Sequence, residues 1–340
     1  MKDIEVFILT RNRVDLLKSS AESILNQTHK VKLTIVDNCS EDNTEAYVKE
    51  LMEKCDNVNY YRQPEFVIFE KNLKTAQNMA QADYVMFFHD DDILHPQYIE
   101  FAYKLINKYD DVDLICGLST AFKNQNEIKT EYLKQVKYSL FKNKKEFISH
   151  VYSAFCTDYT DIVFPHVIYK TQNIKDIKIE TERYGKIADK PFVIDALQKG
   201  IVIQIRDKRM LNYRIHEGQD SATTKNGPFP NEIIAHNIKF KEILNNNMES
   251  RVIFDNFSAK WLNILFKWGG NGNNKQEFKN FIKQAYEQDA INWFSYALFF
   301  SPLRFFYKFI NKKIVKYITY KDKHIKELDL ILENNSEKNC

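Results

Sequence analysis

Tyr84-Val85-Met86-Phe87-Phe88-His89-Asp90-Asp91-Asp92-Ile93-Leu94-His95-Pro96 is the stretch on which the fold turns. The apolar run Tyr84 to Phe88 has the length and composition of a buried strand. Three carboxylates follow where that strand would leave its sheet, and a turn and Pro96 come after them. In open α/β sheets, ligands gather beyond the carboxyl ends of the strands. Adjacent carboxylates repel one another and resist losing water, so a divalent cation is their natural partner. An acidic triplet alone is weak evidence, because most charge runs are solvated loops. The strand before this one and the turn after it give it weight.

Working outward, apolar strands and amphipathic helices alternate. Strands are expected at residues 4–9, 32–36, 58–61, 84–88 and 112–117, and helices at 13–26, 44–52, 72–81 and 96–109. Asn43 or Thr44 is placed to cap the second helix. Short links join all of these. Such alternation predicts an α/β protein built on a mostly parallel, doubly wound sheet. Residues 120–150 lose the pattern, and residues 162–169 regain strand-like composition. A helix over 188–200, ended by Gly200, and a strand over 201–205 follow. The turn-rich Lys225-Asn226-Gly227-Pro228 marks a boundary between a domain at 1–228 and a C-terminal helical region at 229–340.

Composition sets limits. With 340 residues and 44% hydrophobic content the chain can bury a large core, so a disordered protein is excluded. A net charge of +3 implies no global field for nucleic acid. The five cysteines, Cys39, Cys55, Cys116, Cys156 and Cys340, are widely spaced with no C-x-x-C pair, which fits a reducing compartment. No secretory signal or membrane-spanning run is visible, so a cytoplasmic protein is expected.

Two more strand ends resemble the first in character. Strand one runs into Thr10-Arg11-Asn12-Arg13, and strand two into Asp37-Asn38-Cys39-Ser40-Glu41-Asp42-Asn43-Thr44. In a doubly wound sheet all three ends share one edge, and their hydroxyl, amide and carboxylate groups suit a nucleotide. Each also has a purely structural explanation. Thr10 can cap the next helix, and Asp37 to Ser40 can form an Asx turn.

Taken together, Leu9 to Arg13, Gln27-Thr28, Ile35 to Thr44, Asp83-Tyr84-Val85 and Phe88 to Pro96 resemble the family 2 glycosyltransferases of GT-A (Rossmann-like) fold. The resemblance covers roughly the first 220 residues. It implies an inverting, metal-dependent transferase. Thr10 would line the base pocket and Asp37 would accept a hydrogen bond from the base, with Asn12 and Asn38 beside them. Asp90 would contact the ribose. Asp91 would bind the Mn²⁺ or Mg²⁺ that bridges the diphosphate, with His89 and Asp92 as neighbours. Many members carry Asp where this chain has His89, and a basic residue where it has Gln77. Arg13 or Lys74 is then the candidate for the missing phosphate contact.

The segment Tyr184 to Phe192 resembles the family's stretch that carries the base, which here is Asp189. Asp189 is equally placed to cap the helix that follows. Tyr213-Arg214-Ile215-His216 resembles the loop that closes over the diphosphate, with His216 completing the metal shell and Arg214 available to phosphate.

The donor would be a nucleotide-sugar, most simply a UDP-sugar, and the acceptor a glycan or a lipid-linked chain in bacterial surface polysaccharide synthesis. The bacterial setting rests on the Lys-, Asn- and Ile-rich composition and on the family. Residues 252–268 are densely apolar and must be covered, by the catalytic domain, a homodimer partner or a membrane. Residues 301–321 carry Arg304, Lys308, Lys312 and Lys316 at helical spacing with no acid. That pattern suits peripheral association with an anionic membrane surface on the inner face of the cell membrane, or a solvated helix. Two rivals remain at this point. One is a sugar-phosphate nucleotidyltransferase, although Thr10 to Arg13 lacks the glycines its phosphate loop needs. The other is a nucleotide-sugar-binding subunit without activity, which the retained Asp91, Asp189 and His216 argue against.

Overall fold

Strand β1 (Ile4–Thr10) lies at the centre of the protein's first half. Its residues alternate between the two faces of the sheet. Phe7 and Leu9 join one core cluster, while Val6 and Ile8 join the other. Both faces are therefore buried, which is why the run reads as continuously apolar rather than alternating. The computed structural model describes residues 1–148, 150, 164–217, 230–244, 275–300 and 327–332.

Strands β2 (Lys32–Asp37), β3 (Val58–Arg62) and β4 (Tyr84–His89) accompany β1, linked by helices α1 (Val14–Leu25), α2 (Thr44–Lys54) and α3 (Phe69–Met79). These four strands are mutually parallel in the order β3-β2-β1-β4. Short β5 (Ile93–Leu94) follows the acidic triplet, and α4 (Tyr98–Lys108) leads to β6 (Val112–Phe122). Then come β7 (Gln135–Phe141), β8 (Ile168–Lys170), helices α5 (Thr171–Ile174), α6 (Thr181–Tyr184) and α7 (Asp189–Asp195), and β9 (Ile201–Arg214). Helices α8 (Pro230–Leu244), α9 (Lys275–Glu287) and α10 (Trp293–Phe300) precede β10 (Glu327–Ile331).

The α/β expectation holds, and the sheet is a mixed one of ten strands in the order β10-β7-β9-β6-β8-β4-β1-β2-β3, with β5 beside β9. Beyond β4, only the β6–β9 pairing is parallel. Strand β8 runs antiparallel to both β4 and β6, and β7 runs antiparallel to β9 and β10.

Several local expectations need correction. Strand β7 lies inside the stretch that seemed patternless; Val136, Tyr138 and Phe141 turn inward from between polar residues. Strand β9 runs nine residues past the expected end at Ile205, because pairing with β6 breaks after Gln204 and resumes from Arg209 to Arg214. Helix α7 stops at Asp195, well short of Gly200. Gly200 instead lets the backbone pass the carboxylate of Asp113, which accepts its N–H at 2.8 Å. A Cβ there would stand 2.3 Å from the Asp111 carbonyl oxygen. Neither Asn43 nor Thr44 caps α2 through its side chain. Asp42 does so, accepting Thr44 N–H on Oδ1 and Val14 N–H on Oδ2, each at 3.0 Å, and so serves the amino ends of two helices.

The C-terminal region is helical at 230–244, 275–287 and 293–300, but β10 adds a strand to the sheet edge. The 225–228 boundary, the apolar 252–268 stretch and the basic 301–321 stretch lie outside the described residues. No helix among the described residues is long and apolar enough to cross a membrane.

Candidate active site

The three polar strand ends meet on one edge, as the parallel register requires. Thr10 sits opposite Asp37, and Leu9 sits opposite His89. The chain steps outward through β2 and β3 on one side of β1 and returns as β4 on the other. The acidic triplet therefore lies at the switch point of the sheet, where a crevice forms.

Asp90 is the buried floor of this crevice. Its Oδ2 accepts the Thr10 hydroxyl at 2.7 Å and Arg13 Nε–H at 3.1 Å, and its Oδ1 pairs with Arg13 Nη2 at 2.7 Å. Burial pushes the Asp90 carboxyl up to about 6, against the pull of Arg13. Thr10 is thus spent on Asp90, and Arg13, not Thr10, occupies the N-cap of α1. Arg13 also reaches Asp91 Oδ2 at 3.3 Å, bridging two of the three carboxylates.

Asp91 and Asp92 differ in what surrounds them. Burial raises Asp91, but His89, His216 and Arg13 together hold its carboxyl below the usual range. Burial and the neighbouring Asp91 charge push Asp92 well above it. Asp92 Oδ1 accepts Arg214 N–H at 2.9 Å, whereas its buried Oδ2 has no hydrogen-bond donor among the described residues. His89 Nδ1 lies 3.8 Å from that oxygen. Loss of hydration holds the His89 imidazole below its ordinary pKa and so in the neutral, ligating form.

Ligand atoms of His89, Asp91 and Asp92 all fall within 4.8 Å of one another. An orphaned buried carboxylate oxygen beside a neutral imidazole fits a divalent cation. The mixed nitrogen and oxygen set suits Mn²⁺ better than Mg²⁺.

His216 and Arg214 arrive from far along the chain. Strand β5 pairs with β9, setting Ile93 against Asn212 and Leu94 against Leu211. Continuing that antiparallel track carries the chain from Asn212 past the acidic triplet, so that residues 214 and 216 arrive beside it. His216 Nε2 lies 3.1 Å from Asp91 Oδ2. Arg214 donates from Nε to the Asp91 carbonyl at 2.7 Å and from Nη2 to Ser19 Oγ at 3.0 Å, with its guanidinium over the Phe122 ring.

At the end of β2, Asp37 is fully buried. Its Oδ1 accepts Ser40 N–H at 2.9 Å and the Ser40 hydroxyl at 2.5 Å, and its Oδ2 accepts the Tyr60 hydroxyl at 2.6 Å. The Asx turn is therefore present, and three of the carboxylate's roughly four acceptor sites are taken. Arg62 Nε lies 3.6 Å from Oδ2. Ser40 closes the Asx turn expected at Asp37 to Ser40, whereas Tyr60 and Arg62 are neighbours of Asp37 that sequence reading missed. Arg62 needed the β2–β3 register, which sets it opposite Asp37.

The other expected contacts divide by what they hold. Asn38 uses both ends of its amide on Val67, donating to the carbonyl at 2.8 Å and accepting the N–H at 3.0 Å. Asn12, at φ 52°, donates its backbone N–H to Ser40 Oγ and accepts Glu41 N–H. Both asparagines brace loops around the crevice. Lys74 donates to the Lys175 carbonyl, and Gln77 donates to the carbonyls of Ile174 and Ile177. These side chains pin the loop after α5 and are not gathered with the carboxylates.

Asp189 opens α7, and Ala188 before it is the N-cap residue, without a side-chain cap bond. Asp189 lies close enough to Tyr169 to add to the burial that raises its phenol. Aromatic rings link this helix to the acidic edge. His89 and Phe164 stand 6.0 Å apart between ring centroids, and Phe164 and Phe192 stand 5.6 Å apart. Nothing in the sequence around Phe164 marked it as this bridge.

Residues 5–160 match the family described as Glycosyl transferase family 2. An uncharacterized glycosyltransferase of Methanocaldococcus jannaschii, MJ1057, is 25% identical over 215 residues, 62% of this chain and 70% of that protein. The poly(ribitol-phosphate) β-N-acetylglucosaminyltransferase TarP of Staphylococcus aureus is 30% identical over 131 residues, 34% of this chain and 36% of TarP. Residues 1–349 of S. aureus TarS, solved with UDP-GlcNAc, share the fold at a TM-score of 0.63 and 16% identity, over 98% of this chain and 97% of that one. The acidic switch point thus lies within residues 5–160, the segment that matches Glycosyl transferase family 2, and together with these relatives it makes the chain a glycosyltransferase.

Proposed function

We propose that this enzyme moves a sugar from a UDP-sugar to a glycan or lipid-linked acceptor, with inversion at the anomeric carbon, during assembly of a bacterial surface polysaccharide. The observation that carries this is the cluster of His89, Asp91 and Asp92 at the sheet's switch point, with Thr10, Arg13 and Asp90 beside it. The likeness to TarP, and to a TarS fragment that binds UDP-GlcNAc, supports a UDP-linked donor.

In this reading Asp91, Asp92 and His89 hold Mn²⁺ or Mg²⁺, and His216 stands beside Asp91. A divalent ion there neutralises charge on the departing diphosphate. Arg13 and Arg214 add fixed positive charge on the same side. The base sits at Asp37, on the acceptor site its own partners leave open, and the ribose at Asp90. Asp189 takes the proton from an acceptor hydroxyl as that oxygen attacks the anomeric carbon and the bond to the diphosphate oxygen breaks. No covalent sugar–enzyme species is required, so an α-linked donor gives a β-linked product.

Incubating the protein with a panel of UDP-, GDP- and CDP-sugars, with and without Mn²⁺, tests this through nucleotide release. Mn²⁺-dependent release of UDP from at least one UDP-sugar is expected, with proton NMR of the product giving the inverted anomer. Release from GDP- or CDP-sugars alone, or a product of retained configuration, overturns the proposal.

A further inference from the structure

Helix α8 follows the segment expected to end the catalytic domain, yet it grips the chain on both sides of Asp189. Four residues before Asp189, Gly185 adopts φ +52° and faces the Glu232 side chain so closely that an added Cβ would lie 2.2 Å from its carboxylate oxygen. Six residues after Asp189, Asp195 accepts an ion-paired hydrogen bond from Lys239 Nζ. The Lys239 side chain is mostly buried and also lies over the Tyr184 ring, 5.6 Å from its centroid. Glu232 and Lys239 are seven residues apart, so they share one face of α8 two turns apart.

Apolar contacts fill the space between these ties. Phe240 belongs to the same core cluster as Tyr184, Ala188, Phe192 and Val193. Ile187 packs against the cluster of Ile234, Phe281 and Ile282, which fastens α8 in turn to α9. Helix α7 itself has only seven residues and no side-chain cap, too little to hold its own position.

We infer that α8 is a clamp that sets the position of Asp189, with Lys239 and Glu232 as positioning residues acting through Asp195 and Gly185. The inference rests on Asp189 being the base, and deepens that reading. Helix α8 thereby contributes to the sugar-transfer step through the position of Asp189. A group misplaced by about 1 Å can lose on the order of 10²-fold in rate, so a clamp of this kind belongs to kcat and not to donor affinity.

The test compares the full chain with Lys239→Met, Lys239→Arg, Gly185→Ala and Asp189→Asn. Three quantities are read: calorimetric affinity for UDP with Mn²⁺, kcat and KM for UDP release from UDP-N-acetylglucosamine, and backbone hydrogen exchange over residues 181–197. In Lys239→Met, exchange over 181–197 should quicken and kcat should fall at least tenfold. UDP affinity and donor KM should stay within twofold. Lys239→Arg should recover most of kcat, and Gly185→Ala should reproduce the Lys239→Met pattern from the other side. Unchanged exchange over 181–197 in both Lys239→Met and Gly185→Ala overturns the clamp, whether or not that donor is turned over. Loss of UDP affinity in step with kcat would reduce the contact to general stability and also overturn it. Full turnover in Asp189→Asn would instead sink the base assignment, while exchange still reports whether α8 holds the segment.

Discussion

The two halves of the sheet assemble their site residues in opposite ways. In the parallel half, β3-β2-β1-β4, each polar group sits at or within three residues of a strand end. Thr10 and Arg13 follow β1, Asp37 ends β2, and His89, Asp90, Asp91 and Asp92 close β4. In the mixed half, Arg214 and His216 reach the crevice through the β5–β9 pairing, and the helix that carries Asp189 is tied to the acidic edge through the Phe164 bridge and to the C-terminal region through α8. The first half is specified locally and the second by tertiary structure. If the proposed roles are correct, this is also a division between holding the donor and activating the acceptor.

The sharpest way to break that division is Asp189→Asn. Turnover should fall by about 10²–10⁴-fold, while calorimetric UDP affinity should match the parent. A parallel loss of affinity would mean the halves are not separable.

Phe164→Ala attacks the bridge between the halves. Phe164 is almost wholly buried and packs on Phe87, His89, Tyr169 and Phe192. Its truncation should cost about 3–5 kcal/mol in urea unfolding. A loss under ~1 kcal/mol would show that the halves are joined elsewhere.

On the donor side, Asp90 is held up to about 6 and Asp92 well above the ordinary range, both chiefly by burial. A raised carboxyl is protonated sooner as pH falls, and a protonated carboxyl attracts a cation less. Mn²⁺ affinity measured by titration should therefore drop at least about tenfold from pH 7 to pH 5, the change expected for one competing proton on a carboxyl that titrates at about 6. A flat profile across that range would remove these carboxylates from the ion's surroundings.

The smallest expected effect is structural and local. Asp42→Ala removes the carboxylate that caps α1 and α2, at a cost of about 1 kcal/mol. Hydrogen bonds from Thr44 and Val14 outweigh burial and lower its folded pKa below the unfolded 3.8. The stabilisation is thus complete above that unfolded value and lost as pH falls through the lower folded one. Chemical denaturation of wild type and variant should converge in strong acid.

The same contrast explains what could be read before the structure was known. The alternating helices and strands of residues 4–117 were legible because both faces of each strand are buried and each link is short. The edge shared by Thr10, Asp37 and the acidic triplet followed from parallel order alone. Strand β7 was not legible, because Lys137 and Ser139 interrupt its apolar residues at single-residue spacing. Strand β9 ends at Ile205 on sequence pattern alone, because the charged Arg206 to Lys208 fill an irregularity before the ladder resumes at Arg209 and runs to Arg214. Among the described residues strand β10 joins the sheet only through β7, so its place was unreadable without the partner. Asn38 and Lys74 were expected at the nucleotide; their amide and ammonium groups instead hold Val67 and Lys175. Residue type pointed to polarity at the correct edge, but only the tertiary contacts showed which of these groups brace loops.

Calorimetric titration of UDP, with and without Mn²⁺, into wild type and Asp91→Ala tests the central claim most directly. The account predicts binding that Mn²⁺ tightens at least tenfold in the wild type, and no Mn²⁺ enhancement in the variant. Equal enhancement in both proteins, or no UDP binding to wild type under either condition, would contradict the claim that the acidic end of β4 holds a metal-bridged diphosphate.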